Sequence, residues 1–524
     1  GLGIKTCVGT EAPLNVPDVV KERLQQAGKD PNDPKVVQTL YEGMFLRIKR
    51  TFPIDYYWVW GYEGQIKENA FRDDFLCAVK AAKQVDAPFG LGISGWGWIA
   101  SNFPRLDEAF PRDVAFSCIS GSVGRDFLSD NFKQLDNRQK WAIPWFEDDG
   151  GMISPQLHVG RMRRDAVDAE AYGCNGLMGL HWRTRILAPN ISALAKAGWT
   201  HSGWDRPVEQ ADKKYEEKRP RSLPAGDFYR DWATAEFGKN VAGTTAEIFT
   251  RLDGKFPRAS SWNRGPGAIV INNQPWSKVK PNYTFVTEME TLRGDVKGAG
   301  NLERFDYWLN TFRFARETAR LACARGHMDR IMKQVNAEKD PAAAKTLARE
   351  QALPAKIDMI QAAGDMVRAL LAAMNNSSEM GTLANIEQQS FLRCQYLNVY
   401  DKALAKILDR DLPTEALPPA VYAGEPRLIV PEKRTELALG EALTLKVIVL
   451  DNAKAKSGAL YWREMGCGKY RQIDLKHKAR AVYSVTIPSA RADMEYYIKA
   501  ETAGGKALVW PATAPRLNHT VIVN

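Results

Sequence analysis

Ile54-Asp55-Tyr56-Tyr57-Trp58-Val59-Trp60-Gly61-Tyr62-Glu63-Gly64 is an apolar, aromatic run that ends on a carboxylate flanked by glycines. Five of its residues are Tyr or Trp. Aromatic side chains favour strands, and flat rings with polar handles suit stacking on sugar faces. A carboxylate just past a strand sits where barrel enzymes keep their catalytic groups. Read alone, the run is more simply a buried core strand followed by a loop Glu. The rest of the N-terminal half decides between these readings, because it repeats the same plan.

Ile4 to Gly9 reads as a strand, followed by a loop holding Glu11. Asp33 to Arg50 reads as a helix, with Asp33 as N-cap and Pro34 at the first helical position. Asp73 to Val85 is a further helix. Phe89 to Ser94 is a strand ending at Gly95-Trp96-Gly97-Trp98, and Val114 to Ile119 is another. Trp141 to Phe146 ends at Glu147-Asp148-Asp149-Gly150-Gly151. A helix covers about Pro155 to Tyr172. Gly176 to Leu180 is a strand ending at His181-Trp182-Arg183-Thr184-Arg185, and Ile191 to Trp199 is helical. About six β-α units in this stretch predict a parallel sheet. The expected fold is α/β, a (β/α)8 TIM-type barrel incomplete at the N-terminus, with Ala268 to Asn272 as one further strand candidate. A doubly wound sheet is the alternative, although no GxGxxG turn follows the first strand.

The chain has 524 residues, enough for about two to four domains. The expected organisation is a barrel over 1–300, a helical domain over 301–412, a Pro-rich linker over 413–426 and an immunoglobulin-like β-sandwich over 427–524. Helices are expected over Pro341 to Glu350, Ala355 to Met374 and Leu383 to Leu408. No stretch has the roughly 20 continuous apolar residues of a membrane helix. The formal charge of +10 favours acidic partners. Without a Lys/Arg block or an RNA-binding signature, acidic glycans are preferred to nucleic acid. Seven scattered cysteines form no Cys/His cluster, so neither a metal nor a cofactor is expected. Cys7, Cys118 and Cys174 read as small core residues.

Glycosidic cleavage needs two carboxyl groups across a sugar ring. Glu63 and the cluster Glu147, Asp148 and Asp149 are the strand ends that offer them in aromatic surroundings. Repulsion within the cluster would raise one pKa. Asp-Asp-Gly-Gly is also ordinary turn chemistry, and both readings stand. Arg183 and Arg185, with His181 and Trp182, either bind an acidic sugar through planar guanidinium forks or form an internal salt bridge to residues 147–149. Trp58, Trp60, Tyr62, Trp96, Trp98, Trp145 and Trp182 are candidate stacking walls, and Glu11 is a further site candidate.

With these motifs the sequence resembles barrel glycoside hydrolases of polysaccharide-degrading bacteria, nearest to the α-glucuronidases (family sixty-seven) and β-hexosaminidases (family twenty). The resemblance rests on Tyr-Tyr-Trp-Val-Trp-Gly-Tyr-Glu, on Trp-Ala-Ile-Pro-Trp-Phe-Glu-Asp-Asp, and on Phe228-Tyr229 with Asp231-Trp232-Ala233 and Phe237-Gly238. It implies an acid/base carboxylate after the fourth barrel strand and a partner after the seventh. With two strands upstream of Gly1, those positions are Glu63 and Glu147. The hexosaminidase Asp-Glu pair is not matched, since Tyr62 precedes Glu63. The expected function is an exo-acting glycoside hydrolase on an acidic or decorated polysaccharide. The alternative is a catalytically silent carbohydrate-binding protein. The first residue is Gly and no signal-peptide pattern follows, so the expected location is periplasmic or extracellular, the targeting segment lying outside this chain.

Overall fold

The structure is a computed structural model that describes residues 4–61, 68–95, 98–119, 128–201, 222–263 and 265–524. It divides into two compact units. The first comprises Gly1–Asp148, His158–His181 and Leu187–Ala225; the second comprises Asp149–Leu157, Trp182–Ile186 and Gly226–Asn524. Residues 226–300, expected with the sheet, therefore belong with the helical body.

The first unit is organised around six parallel strands: β1 (Cys7–Ala12), β2 (Tyr56–Gly61), β3 (Gly90–Ser94), β4 (Ala115–Ile119), β5 (Lys140–Ile143) and β6 (Gly176–Leu177). Each strand neighbours the next, in the order 1-2-3-4-5-6. That monotone order is incompatible with the doubly wound alternative, whose strand order reverses at a switch point. It is the order of a barrel wall, but among the described residues no pairing joins β6 to β1. Ala268 to Asn272 does not extend the sheet. Ala268–Ile269 instead pairs antiparallel with Ser260–Ser261, in the second unit.

The helices of the first unit include α1 (Asp18–Gln26), α2 (Pro34–Thr51), α3 (Glu68–Gln84), α4 (Trp98–Ser101), α5 (Phe103–Ala109), α6 (Val159–Ala171) and α7 (Ala188–Ala197). Asp33 caps α2, its carboxylate accepting the Lys35 N–H at 2.7 Å, and Pro34 opens the helix where its missing N–H costs nothing. Tyr41 and Phe45 of α2 and Phe71 and Phe75 of α3 share one buried core with Phe103, Tyr57, Val59, Ile93, Phe116 and Cys118. Strand alternation explains which strand residues take part: every second residue points at the helices, and the others point away. Burial raises the Cys118 thiol to about 12, so this cysteine behaves as a small apolar group. Cys7 and Cys174 are only half-buried.

In the second unit, Gly226–Phe237 and Lys239–Leu252 form a helical pair. Gly238 joins them with φ +83°, a left-handed conformation suited to glycine. A 39-residue helix, Ala299–Ala337, shares its core with Leu353–Ala373. Between Pro341–Leu347 and Leu353–Ala373 the chain makes a π-helical turn over Ala348–Ala352. Pro354 follows at once and lacks the N–H that would continue the ladder. The helix expected over Leu383 to Leu408 is broken into Ser377–Asn385, a π-helical Ile386–Arg393 and Asp401–Leu408. Gln395, at φ +46°, cannot continue a right-handed helix. The last hundred residues form a six-stranded and a four-stranded sheet. Leu445, Val447 and Val449 of one sheet and Leu460, Tyr496 and Ile498 of the other lie in a single buried cluster. Among the described residues, no helix is long and apolar enough to cross a membrane.

Candidate functional site

The face of the sheet turned away from the helices carries the aromatic residues. Tyr56, Trp58 and Trp60 alternate along β2 with the buried Tyr57 and Val59. The Trp58 and Trp60 rings lie 5.1 Å apart. Trp58 donates its indole N–H to Ser117 Oγ at 2.7 Å, and that hydroxyl donates to the Ile93 carbonyl at 2.7 Å. Tyr56 meets Trp141 of β5 edge to face at 4.6 Å. Trp58, Trp60 and Trp145 belong to one apolar cluster with Ile119 and Ile143. Glu11 pairs with Trp60 across β1 and β2, so its half-buried side chain shares this face.

Beyond β5 the chain continues into Trp145, Phe146, Glu147 and Asp148. Pro144 has no N–H and interrupts the strand, but the pairing resumes with a Trp145–Leu180 bridge. The Phe146 N–H donates to the Leu180 carbonyl, and the Leu180 N–H donates to the Pro144 carbonyl, both at 2.9 Å. Gly179 is required here, since a Cβ would stand 1.9 Å from a Phe146 ring carbon. Two buried side chains hold the outgoing carbonyls. Arg161 of α6 donates to the Trp145 carbonyl at 2.8 Å, and Asn190 of α7 donates to the Phe146 carbonyl at 2.8 Å. Asn190 also accepts the His158 N–H at 2.8 Å. The next residue, Glu147, is 0% exposed, while Asp148 is half-buried. His181, at the end of the neighbouring strand, is exposed, with its ring 6.0 Å from that of Phe146.

Arg161 and Asn190 were not singled out from the sequence. Arg161 belongs to the run Arg161-Met162-Arg163-Arg164-Asp165, which on composition reads as a solvated helix face. The structure buries it: Arg161, Arg163, Arg164, Asp165 and Asp168 are all inside. Arg164 pairs with Asp168 one turn on at 2.8 Å, and Arg163 donates to the Pro224 carbonyl at 2.6 Å. Buried charges persist only when paired and hydrogen-bonded. The i,i+4 Arg/Asp spacing was the available signal.

The second unit holds the other part of the expected constellation. Asp149 opens a short 3-10 turn, Asp149–Gly151. Trp182 is 44% exposed, whereas Arg183 is buried and donates to the Ser154 carbonyl at 2.8 Å. Arg185 lies over the Tyr307 ring, 4.2 Å from its centroid. Tyr307 donates its hydroxyl to Glu379 at 3.0 Å. Burial pushes the Glu379 carboxyl up and the Tyr307 phenol well above its ordinary value. These groups and Arg183 line a cavity of about 20 Å³, the size of one water.

Tyr62, Glu63 and Trp96 lie outside the described residues. So does the Trp98 side chain, although its backbone opens α4.

No family model and no curated protein matches the chain. Among solved structures it is similar to a family 89 glycoside hydrolase from Clostridium perfringens in complex with 2-acetamido-1,2-dideoxynojirmycin. That match has 13% identity and a TM-score of 0.43, over 75% of this chain and 50% of that one. It is also similar to CpGH89 from the same organism in complex with its substrate GlcNAc-α-1,4-galactose, at 13% identity and TM-score 0.41, over 74% and 46% of the two chains. The chain thus spans about half the length of the structures it matches. A likeness of that size assigns no family.

Proposed function

We propose that the chain is a glycoside hydrolase, exo-acting on an acidic or decorated polysaccharide. The observation that supports this is the end of β5. There, adjacent carboxylates, Glu147 and Asp148, follow a strand whose outgoing carbonyls are fixed by Arg161 and Asn190. They continue a sheet whose second face carries a separate apolar cluster with Trp58, Trp60 and Trp145. Rigid backbone support of this kind is what a reacting carboxylate needs. In this reading Glu63 protonates the leaving oxygen. Asp148, the more accessible of the adjacent pair, meets the anomeric carbon or its water, and the buried Glu147 helps to position it. His181 holds substrate, and the C-terminal sheets act as an accessory β-sandwich.

The test is hydrolysis of a panel of aryl glycosides and uronic-acid oligosaccharides, with GlcNAc-α-1,4-galactose included, by wild type, Glu63→Gln, Glu147→Gln and Asp148→Asn. Turnover on one sugar that collapses in Glu63→Gln and Asp148→Asn supports the reading. Near-normal turnover in Glu63→Gln removes the acid assignment. The complete burial of Glu147 favours a second reading, a carbohydrate-binding protein without catalysis. Saturable glycan binding without turnover of any panel member would establish it.

A further inference from the structure

Along the 39-residue helix of the second unit runs an open cleft of about 990 Å³, lined among others by Trp276, Lys280, Tyr283, His327 and Arg330. One of its walls is fastened to the helix backbone. The Asn272 N–H donates to the Ala322 carbonyl at 3.0 Å. Gly326 admits the incoming loop, since a Cβ there would lie 2.2 Å from the Asn272 carbonyl oxygen. Arg330 then donates to the Asn273 carbonyl at 2.7 Å.

The cleft's cations fall into two kinds. Arg316 and Arg320 are compensated, by Glu317 at 2.9 Å and Asp358 at 3.1 Å respectively. Lys280 and Arg330 have no carboxylate partner among the described residues, and both are exposed. His327 Nδ1 lies 3.5 Å from Arg330, and where it accepts, the other ring nitrogen is a donor. Beside these groups stand the half-buried Trp276 and the buried Tyr283, with rings 6.3 Å apart. Uncompensated cations next to aromatic rings match one ligand chemistry well: a ring with an apolar face and a carboxylate at its edge.

We propose that this cleft binds a uronate-bearing oligosaccharide, with Lys280 and Arg330 meeting carboxylates and Trp276 stacking on a sugar ring. Only the choice of an acidic glycan over other anions rests on the glycosidase reading. The experiment titrates the full chain by calorimetry with tetragalacturonate, its carboxyl-reduced neutral counterpart, inorganic sulfate and a poly-glutamate peptide. Saturable binding is expected for tetragalacturonate alone, weakening as salt rises from about 50 to about 500 mM. Lys280→Glu and Trp276→Ala should each weaken it roughly tenfold or more, about 1.4 kcal/mol, with circular dichroism and aryl glycoside turnover unchanged. Affinity unaffected by both substitutions, or equal for the neutral oligomer, would overturn the site. Equal binding of sulfate would reduce it to a bare-anion site, and equal binding of poly-glutamate would make it a peptide surface; either overturns the glycan assignment. Because binding is read without turnover, absence of tetragalacturonate binding in a chain that hydrolyses aryl glycosides sinks this inference alone.

Discussion

On the helix-facing side of the six-stranded sheet, Tyr57, Val59, Leu91, Ile93, Phe116 and Cys118 pack among phenylalanines from α2, α3 and α5. On the other side, the same strands present Tyr56, Trp58, Trp60, Ser117, Trp141 and Trp145. The first set holds volume, and its members have few polar atoms to satisfy. The second set carries indole and hydroxyl donors, and glycines on β3 and β6 make room for its rings. A Cβ at Gly92 would stand 3.2 Å from the Trp141 ring, and one at Gly176 only 2.5 Å. This second face is a core of its own, with Ile119, Ile143 and Trp145 buried, but it is a smaller one in which wide rings with polar handles replace phenylalanines.

The contrast can be attacked directly. Asp148→Asn, at the end of the aromatic face, is expected to lower glycoside turnover about 10²–10⁴-fold, the usual range for losing a proton-managing group. Steady-state kinetics on the substrate found in the panel would measure this, and an unchanged rate would remove the aromatic face from the chemistry. Phe116→Ala, on the helix side, should cost about 3–5 kcal/mol in urea unfolding. The rate per folded molecule should stay the same; a matching rate loss would mean the two faces are not separable. Asn190→Ala removes the donor to the Phe146 carbonyl and the acceptor of the His158 N–H, and is expected to destabilise by about 1–3 kcal/mol per group left unpaired. A structure of the variant should show residues 146–148 displaced.

The fourth test uses pH. Burial raises the carboxyl of Asp74, which accepts from the Tyr41 hydroxyl at 2.7 Å and the Leu14 N–H at 3.0 Å. Its folded form holds the proton more tightly than the unfolded chain does. Its contribution to stability is therefore present at low pH and is lost as pH rises from the ordinary carboxylate value through the raised one. Asp74→Asn should flatten that fall in melting temperature, and identical pH profiles for variant and wild type would contradict the assignment. The smallest effect is expected from Trp58→Phe. It keeps the ring and loses the bond to Ser117, at about 0.5–1.5 kcal/mol, with weaker glycan binding as the more sensitive readout.

Much of the sheet was legible in the sequence. Asp33-Pro34 announced α2 through cap chemistry that acts within a few residues, and the alternation in 56–60 separated the helix-packed face of the sheet from the other. What was not legible depended on distant partners. The charged stretch of α6 looks solvated unless it is known that the Trp145 and Pro224 carbonyls wait for Arg161 and Arg163. Ala268 to Asn272 has strand composition, but its partner is a two-residue segment nearby rather than the parallel sheet. The long apolar pattern over 383–408 carries no Gly or Pro to mark the left-handed turn at Gln395. Arg183 was visible as a cation at a strand end, yet nothing local revealed that the Ser154 carbonyl receives it.

The link from Arg161 to the Trp145 carbonyl joins two kinds of motion that a strand end usually keeps apart. Fraying of residues 144–146 would have to release Leu180 on one side and leave a guanidinium inside α6 without its acceptor on the other. The end of β5, the neighbouring strand and α6 are therefore expected to open together rather than to fray singly. Backbone amides at 146, 178 and 180 should exchange together and late. On the proposed reading, a ligand arriving at Asp148 would meet a backbone already in place and would select among side-chain positions alone.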